Sequence, residues 1–153
     1  MTSAIWLFVL ATVIAVIGIV IQFKKLMVQI QTKIDQNENV TTESLQKENS
    51  RFFVRVVMVE VIPIVLVILG FILMESMEGA MSLSQVLPAL LIVIISLLFG
   101  VINVFLAKNQ AISNQDVSIQ TKATLTTMTF TGMSLVAAFP IISIVAMVMA
   151  LSI

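Results

Sequence analysis

The sequence predicts an all-α integral membrane protein of four transmembrane helices arranged as two tandem helical hairpins. Three observations carry this. Of the 153 residues, 59% are hydrophobic and only 10% are charged, with a mean hydropathy of +1.15. That is more apolar surface than a soluble domain of this length can bury. The apolar residues fall into four stretches, each long enough for the roughly 20 helical residues that a bilayer crossing takes. Finally, all eight basic residues lie in, or at the edges of, two of the three connections.

The spans run over about 4–23, 52–74, 86–107 and 125–151. The first has no charged segment before it and no small-residue cleavage site after it, so it is expected to be a retained span and not a signal peptide. Residues 1–77 make the first hairpin, with loop 24–51, and residues 78–153 make the second. Lys24, Lys25, Lys33, Lys47, Arg51 and Arg55 flank or lie between spans one and two, and Lys108 and Lys122 lie between spans three and four. The segment joining spans two and three carries Glu75 and Glu78 but no cation. The positive-inside rule therefore places both hairpin loops in the cytoplasm and both termini outside.

In the first loop, Leu26, Met27, Ile30 and Ile34 recur near helical spacing, so the first helix is expected to continue past the membrane. The stretch TTESLQKENSRFF starts the next helix, with Thr42 as its N-cap and Glu43 in the first turn. A solvated hairpin is the plain reading of 24–51; a docking surface for a cytoplasmic partner is the alternative. Ser84 is the expected cap of the third helix, whose start Gln85 and Pro88 mark. Trp6 suits an interfacial anchor near the outer end of its span. Thr124, Thr126, Thr127, Thr129 and Thr131 line the entry of the fourth span, where their hydroxyls can bond back to the helix or across to a neighbour.

Composition excludes much chemistry. There is no cysteine and no histidine, hence no disulfide framework, no thiol nucleophile, and none of the commonest metal ligand and general base. No Gly-rich phosphate loop, nucleophile elbow or metal-ligand cluster appears, so no catalytic residue, cofactor or metal is expected. The net charge is zero, and no nucleic-acid partner is implied. The lipid bilayer is the one partner that composition requires.

One phrase occurs twice. A shift of 77 positions lays Val59-Glu60-Val61-Ile62-Pro63-Ile64 on Val136-Ala137-Ala138-Phe139-Pro140-Ile141. Both prolines fall inside the second span of their hairpin, where each is expected to kink its helix. Small residues recur in the first and third spans at Ala11, Ala15 and Gly18, and at Ser96 and Gly100, a spacing that permits close helix contact.

Glu60 is the acid that only the first copy keeps. An ionised carboxylate at this depth costs about 3 kcal/mol on insertion scales, so the neutral acid is the expected resting form. Two roles fit it: a proton carrier, or a protonated packing residue hydrogen-bonded between helices. Gln22, Asn103, Thr131 and Ser134 are candidate partners, and Arg55 can snorkel to the interface and pair partly with it.

The run TKATLTTMTFTGMSLVAAFPIISIVAMVMAL resembles the second helix of the c subunit, or proteolipid, of rotary F-type and V-type ATPases, and RFFVRVVMVEVIPIVLVILGFIL resembles the same helix with its acidic position kept as Glu60. The doubled hairpin with one carboxylate is similar to the V-type form. The first helices lack the family's run of alternating glycines, and the loop lacks its Arg-Gln-Pro-Glu signature, with Thr42 where the proline should stand. The resemblance implies a homo-oligomeric membrane ring, with Glu60 carrying the ion, and is taken with an expected location in the plasma (inner) membrane of a bacterium. A proton is favoured over sodium, because Val61 stands where the family's sodium site has a hydroxyl residue. Two other readings remain open: a proteolipid-derived ring or scaffold without rotary ion transport, and an accessory subunit of an unrelated transporter.

Overall fold

The structure is a computed structural model that describes residues 3–36, 41–76, 79–112 and 118–152. Four helices account for nearly all of them: α1 (Ser3–Asp35), α2 (Thr42–Glu75), α3 (Leu83–Ile112) and α4 (Ile119–Ala150). Each contains a stretch long and apolar enough to cross a membrane. The four sequence spans sit inside these helices, which run on beyond them. At 1.5 Å per residue, the 33 residues of α1 and 34 of α2 reach about 50 Å, against a hydrocarbon core of about 30 Å. The excess lies at the hairpin end, where α1 runs on to Asp35 and α2 starts at Thr42, as the apolar spacing predicts.

α1 is the central helix. It packs against all three others, whereas α2 and α3 lie on opposite sides and make no contact among the described residues. The most apolar stretch of α1 is 56% buried, compared with 17% in α2 and 22% in α3. The sequence explains this placement. Ala11, Thr12 and Ala15 give α1 a face thin enough for close approach, and each is fully buried. Larger side chains (Phe8, Ile19, Phe23, Leu26) fill the space above and below them. Two apolar clusters result. One gathers Ala4, Phe8, Met74, Met81, Val93 and Met147 at the end holding residues 4 and 150. The other gathers Phe23, Ile30, Leu45, Phe52, Val104 and Leu125 toward the hairpin loops.

Polar contacts close the second hairpin at one end of the bundle and tie the two hairpins at the other. The Met81 backbone N–H donates to the Ala150 carbonyl at 2.9 Å. At the other end, Gln120 Nε2 donates to Thr42 Oγ1 at 3.1 Å.

Two helix starts differ from expectation. α2 is capped by Thr41, not Thr42: Thr41 is in extended conformation (φ −82°, ψ 156°), and its hydroxyl accepts from the Ser44 N–H at 3.2 Å. Thr42 is already in the first turn. α3 begins at Leu83, so Ser82 and not Ser84 holds the cap position. The Ser82 N–H donates to Gln85 Oε1 at 3.2 Å, the return half of a capping box. In both cases the cap is the residue three before a usable hydrogen-bond partner, which outweighs its position relative to the apolar run. The threonines of α4 behave as read: Thr124, Thr126, Thr127, Thr129 and Thr131 each donate to the carbonyl four residues back.

Candidate functional site

The phrase that the sequence repeats is repeated in space. In the first hairpin, Gly18 of α1 lies against Val59 of α2, and the Val59 Cγ1 occupies the place where a Cβ on Gly18 would be. In the second, Gly100 of α3 lies in the same way against the Cγ1 of Val136 on α4, and Val16 Cγ1 also crowds that spot, at 2.8 Å. The two valines are 77 positions apart, the same shift that aligns the phrases. Each stands four residues before a buried in-helix proline, Pro63 or Pro140. A proline has no N–H, so it is the Val59 and Val136 carbonyls that lose their i+4 donors. Both helices stay continuous through these prolines. The helix thus lacks a backbone rung where its valine packs against the glycine of its partner helix.

Glu60 follows Val59 directly. It lies one turn from buried Val56 and less than one turn from buried Pro63, on the flank of the stripe that α2 turns inward, and is itself half-buried. The neighbouring face is exposed and apolar: Val57 is 61%, Val61 53% and Ile64 46% exposed. At 100° per residue, Arg55 and Met58 fall on the opposite flank of the stripe from Glu60. Among the described residues Glu60 has no ion pair or hydrogen bond, whereas Glu48 makes two ion pairs.

The candidate partners do not converge on it. Asn103 Nδ2 donates to the Phe99 carbonyl at 2.9 Å, Thr131 to the Thr127 carbonyl at 3.1 Å, and Ser134 to the Phe130 carbonyl at 3.0 Å. All three side chains are occupied within their own helices. Gln22 lines a groove between α1 and α2 together with Arg55, Met58 and Val59, and its Oε1 is buried without a partner. Arg55 makes no ion pair with Glu60. Among the described residues no group of three or more His, Asp or Glu is placed to hold a metal. The small residues lie at helix contacts: Ala11 and Ala15 are fully buried, Gly18 and Gly100 take valines, and Ser96 lines a narrow space between α1 and α3 with Val16 and Phe99.

Two polar clusters were not read from the sequence. Thr12 Oγ1 and Ser143 Oγ hydrogen-bond at 2.7 Å, and Ser143 also donates to the Phe8 carbonyl at 3.1 Å, joining α1 to α4 in a fully buried place. The available signal was Thr12 standing on the same small-residue face as Ala11 and Ala15. In the extension beyond the membrane, Lys33 Nζ meets Glu48 Oε1 at 2.9 Å, and Arg51 meets the same oxygen at 3.3 Å. Glu48 is only 4% exposed. The hydrogen bond from Lys33 holds its carboxyl below the ordinary glutamate range, outweighing burial, which acts the other way.

Comparison with protein-family models, with characterised proteins and with solved structures gives no match.

Proposed function

We propose that the chain is a proteolipid-like membrane subunit that assembles with further copies of itself into a closed ring, with Glu60 as its proton-exchanging carboxylate. The observation that carries this reading is the state of Glu60. It is an acid in the middle of an apolar helix, beside an exposed apolar surface, with no cation and no hydrogen-bond donor engaged among the described residues. A structural acid would be held by donors; a carrier must be able to give up its proton when a cation comes to it, and take it back when the cation leaves. The doubled Gly–Val contact supports the tandem-hairpin part, since one hairpin geometry is built twice and the acid kept once. The positions of α2 and α3 support the ring. They present two different apolar faces on opposite sides of α1, as head-to-tail closure requires. The sidedness follows from the basic residues: hairpin loops in the cytoplasm, termini outside, with a bacterial plasma membrane as the setting. A proton is the preferred ion, because no oxygen set gathers around Glu60 and a hard cation such as sodium needs several.

The scaffold reading is favoured by one feature, the absence of the glycine run and of the loop signature of the rotary ATPases. A single variant separates the two. A hydrophobic carbodiimide modifies protonated carboxyls in apolar surroundings. In the carrier reading it modifies wild-type protein at Glu60, modification slows as the pH rises, and Glu60→Gln abolishes it while leaving assembly and thermal stability intact. If Glu60 is unreactive at all pH values and Glu60→Gln weakens assembly, the acid is a packing residue and the carrier reading fails.

A further inference from the structure

At the hairpin end of the first span, α1 and α2 bound an open groove of about 750 Å³. Its walls carry Lys24 and Lys25 from α1 and Arg55 from α2, three cations with no acid among the lining residues. Its floor and lower walls are apolar, from Ile21, Met58 and Val59. Ile21 is 46% and Met58 72% exposed, on the surface that continues toward the bilayer. Both ion pairs of Glu48 use Lys33 and Arg51; among the groove cations Arg55 acts on Glu48 through its field and not through an ion pair. Gln22 in the wall keeps a buried Oε1 without a hydrogen-bond partner.

We propose that this groove binds an anionic glycerophospholipid, phosphate among Lys24, Lys25 and Arg55 and one acyl chain along Ile21 and Met58. The argument is complementarity of charge and of polarity together. A guanidinium and two ammonium side chains line the groove where the apolar surface stops, which is the depth at which a lipid phosphate sits. A free anion would need only the cations; the apolar strip below them fits the part of the lipid that a free anion lacks. Phosphatidylglycerol satisfies both requirements and brings headgroup hydroxyls, donors of the kind Gln22 lacks. The proposal does not depend on what Glu60 does, because Glu60 lies on the other flank of α2.

The test is native mass spectrometry of the full chain in mild detergent, with phosphatidylglycerol or phosphatidylcholine of identical acyl chains. Retention of phosphatidylglycerol is expected to exceed that of phosphatidylcholine by about tenfold and to fall to the phosphatidylcholine level in the triple variant Lys24→Gln, Lys25→Gln, Arg55→Gln. The control is Lys108→Gln with Lys122→Gln, which removes cations of the other loop and is expected to change nothing. Three results overturn the proposal: equal retention of the two lipids, an equal loss in the control variant, or displacement of the lipid by millimolar inorganic phosphate, which would make the groove a plain anion site. Circular dichroism of both variants establishes that the helices are intact.

Discussion

Val59 lies against Gly18 so closely that a methyl group on the glycine would overlap its Cγ1, and Val136 stands in the same relation to Gly100. The two contacts are the internal repeat expressed as packing. They also set how near each second helix comes to the first, and therefore where Glu60, one residue on from Val59, emerges on the flank of α2.

Gly18→Ala tests that contact. Valine is stiff at χ1 and cannot swing its methyl aside cheaply. Overpacking of this kind costs about 1–3 kcal/mol, against the gain of up to about 1 kcal/mol from removing a helical glycine. The expected result is a lower thermal midpoint in mild detergent, with most of the loss recovered when Val59→Ala is added. An unchanged midpoint in Gly18→Ala would mean that the helices stand further apart.

The Thr12–Ser143 bond predicts a smaller effect. Thr12→Val keeps the shape and removes the hydroxyl, leaving Ser143 with the Phe8 carbonyl alone. Interhelical hydrogen bonds in membranes are worth about 0.6 kcal/mol on average and up to about 1.7. The variant is expected to unfold in that range below wild type, and Ser143→Ala to cost more, because it removes both the Thr12 bond and the bond to the Phe8 carbonyl.

Glu48 gives a pH dependence. Its folded pKa lies below the unfolded value of about 4.3, with Lys33 as the first cause. The ion pair therefore contributes stability that is present above about pH 4.3 and lost as the pH falls through the lower folded value. Glu48→Gln should be less stable than wild type near neutral pH, and the difference should vanish in acid. A stability gap that persists in acid would assign the effect to packing of the side chain instead of to its charge.

Much of this architecture is legible in the chain. Four apolar runs fix four helices because backbone groups in hydrocarbon have to bond within their own segment. The small-residue spacing at Ala11 and Ala15 lies on the face that α1 buries, and Leu26, Met27, Ile30 and Ile34 marked the helical extension. The caps were off by one or two residues because a cap depends on which hydroxyl or amide reaches an N–H, and Thr41 and Thr42 look alike until the backbone angles are known. The partners of Glu60 were the least legible part. Asn103, Thr131 and Ser134 have the right chemistry, but each has a carbonyl of its own helix four residues back, always within reach. Thr12 and Ser143 are 131 residues apart, and nothing in a local pattern brings such a pair together.

The central claim is a closed ring of copies of this chain, and the symmetry of the purified particle tests it most directly. Electron-microscopy class averages of the full chain in mild detergent are predicted to show a closed rotationally symmetric ring, unchanged in Glu60→Gln. A monomer, a dimer or an asymmetric particle would contradict it.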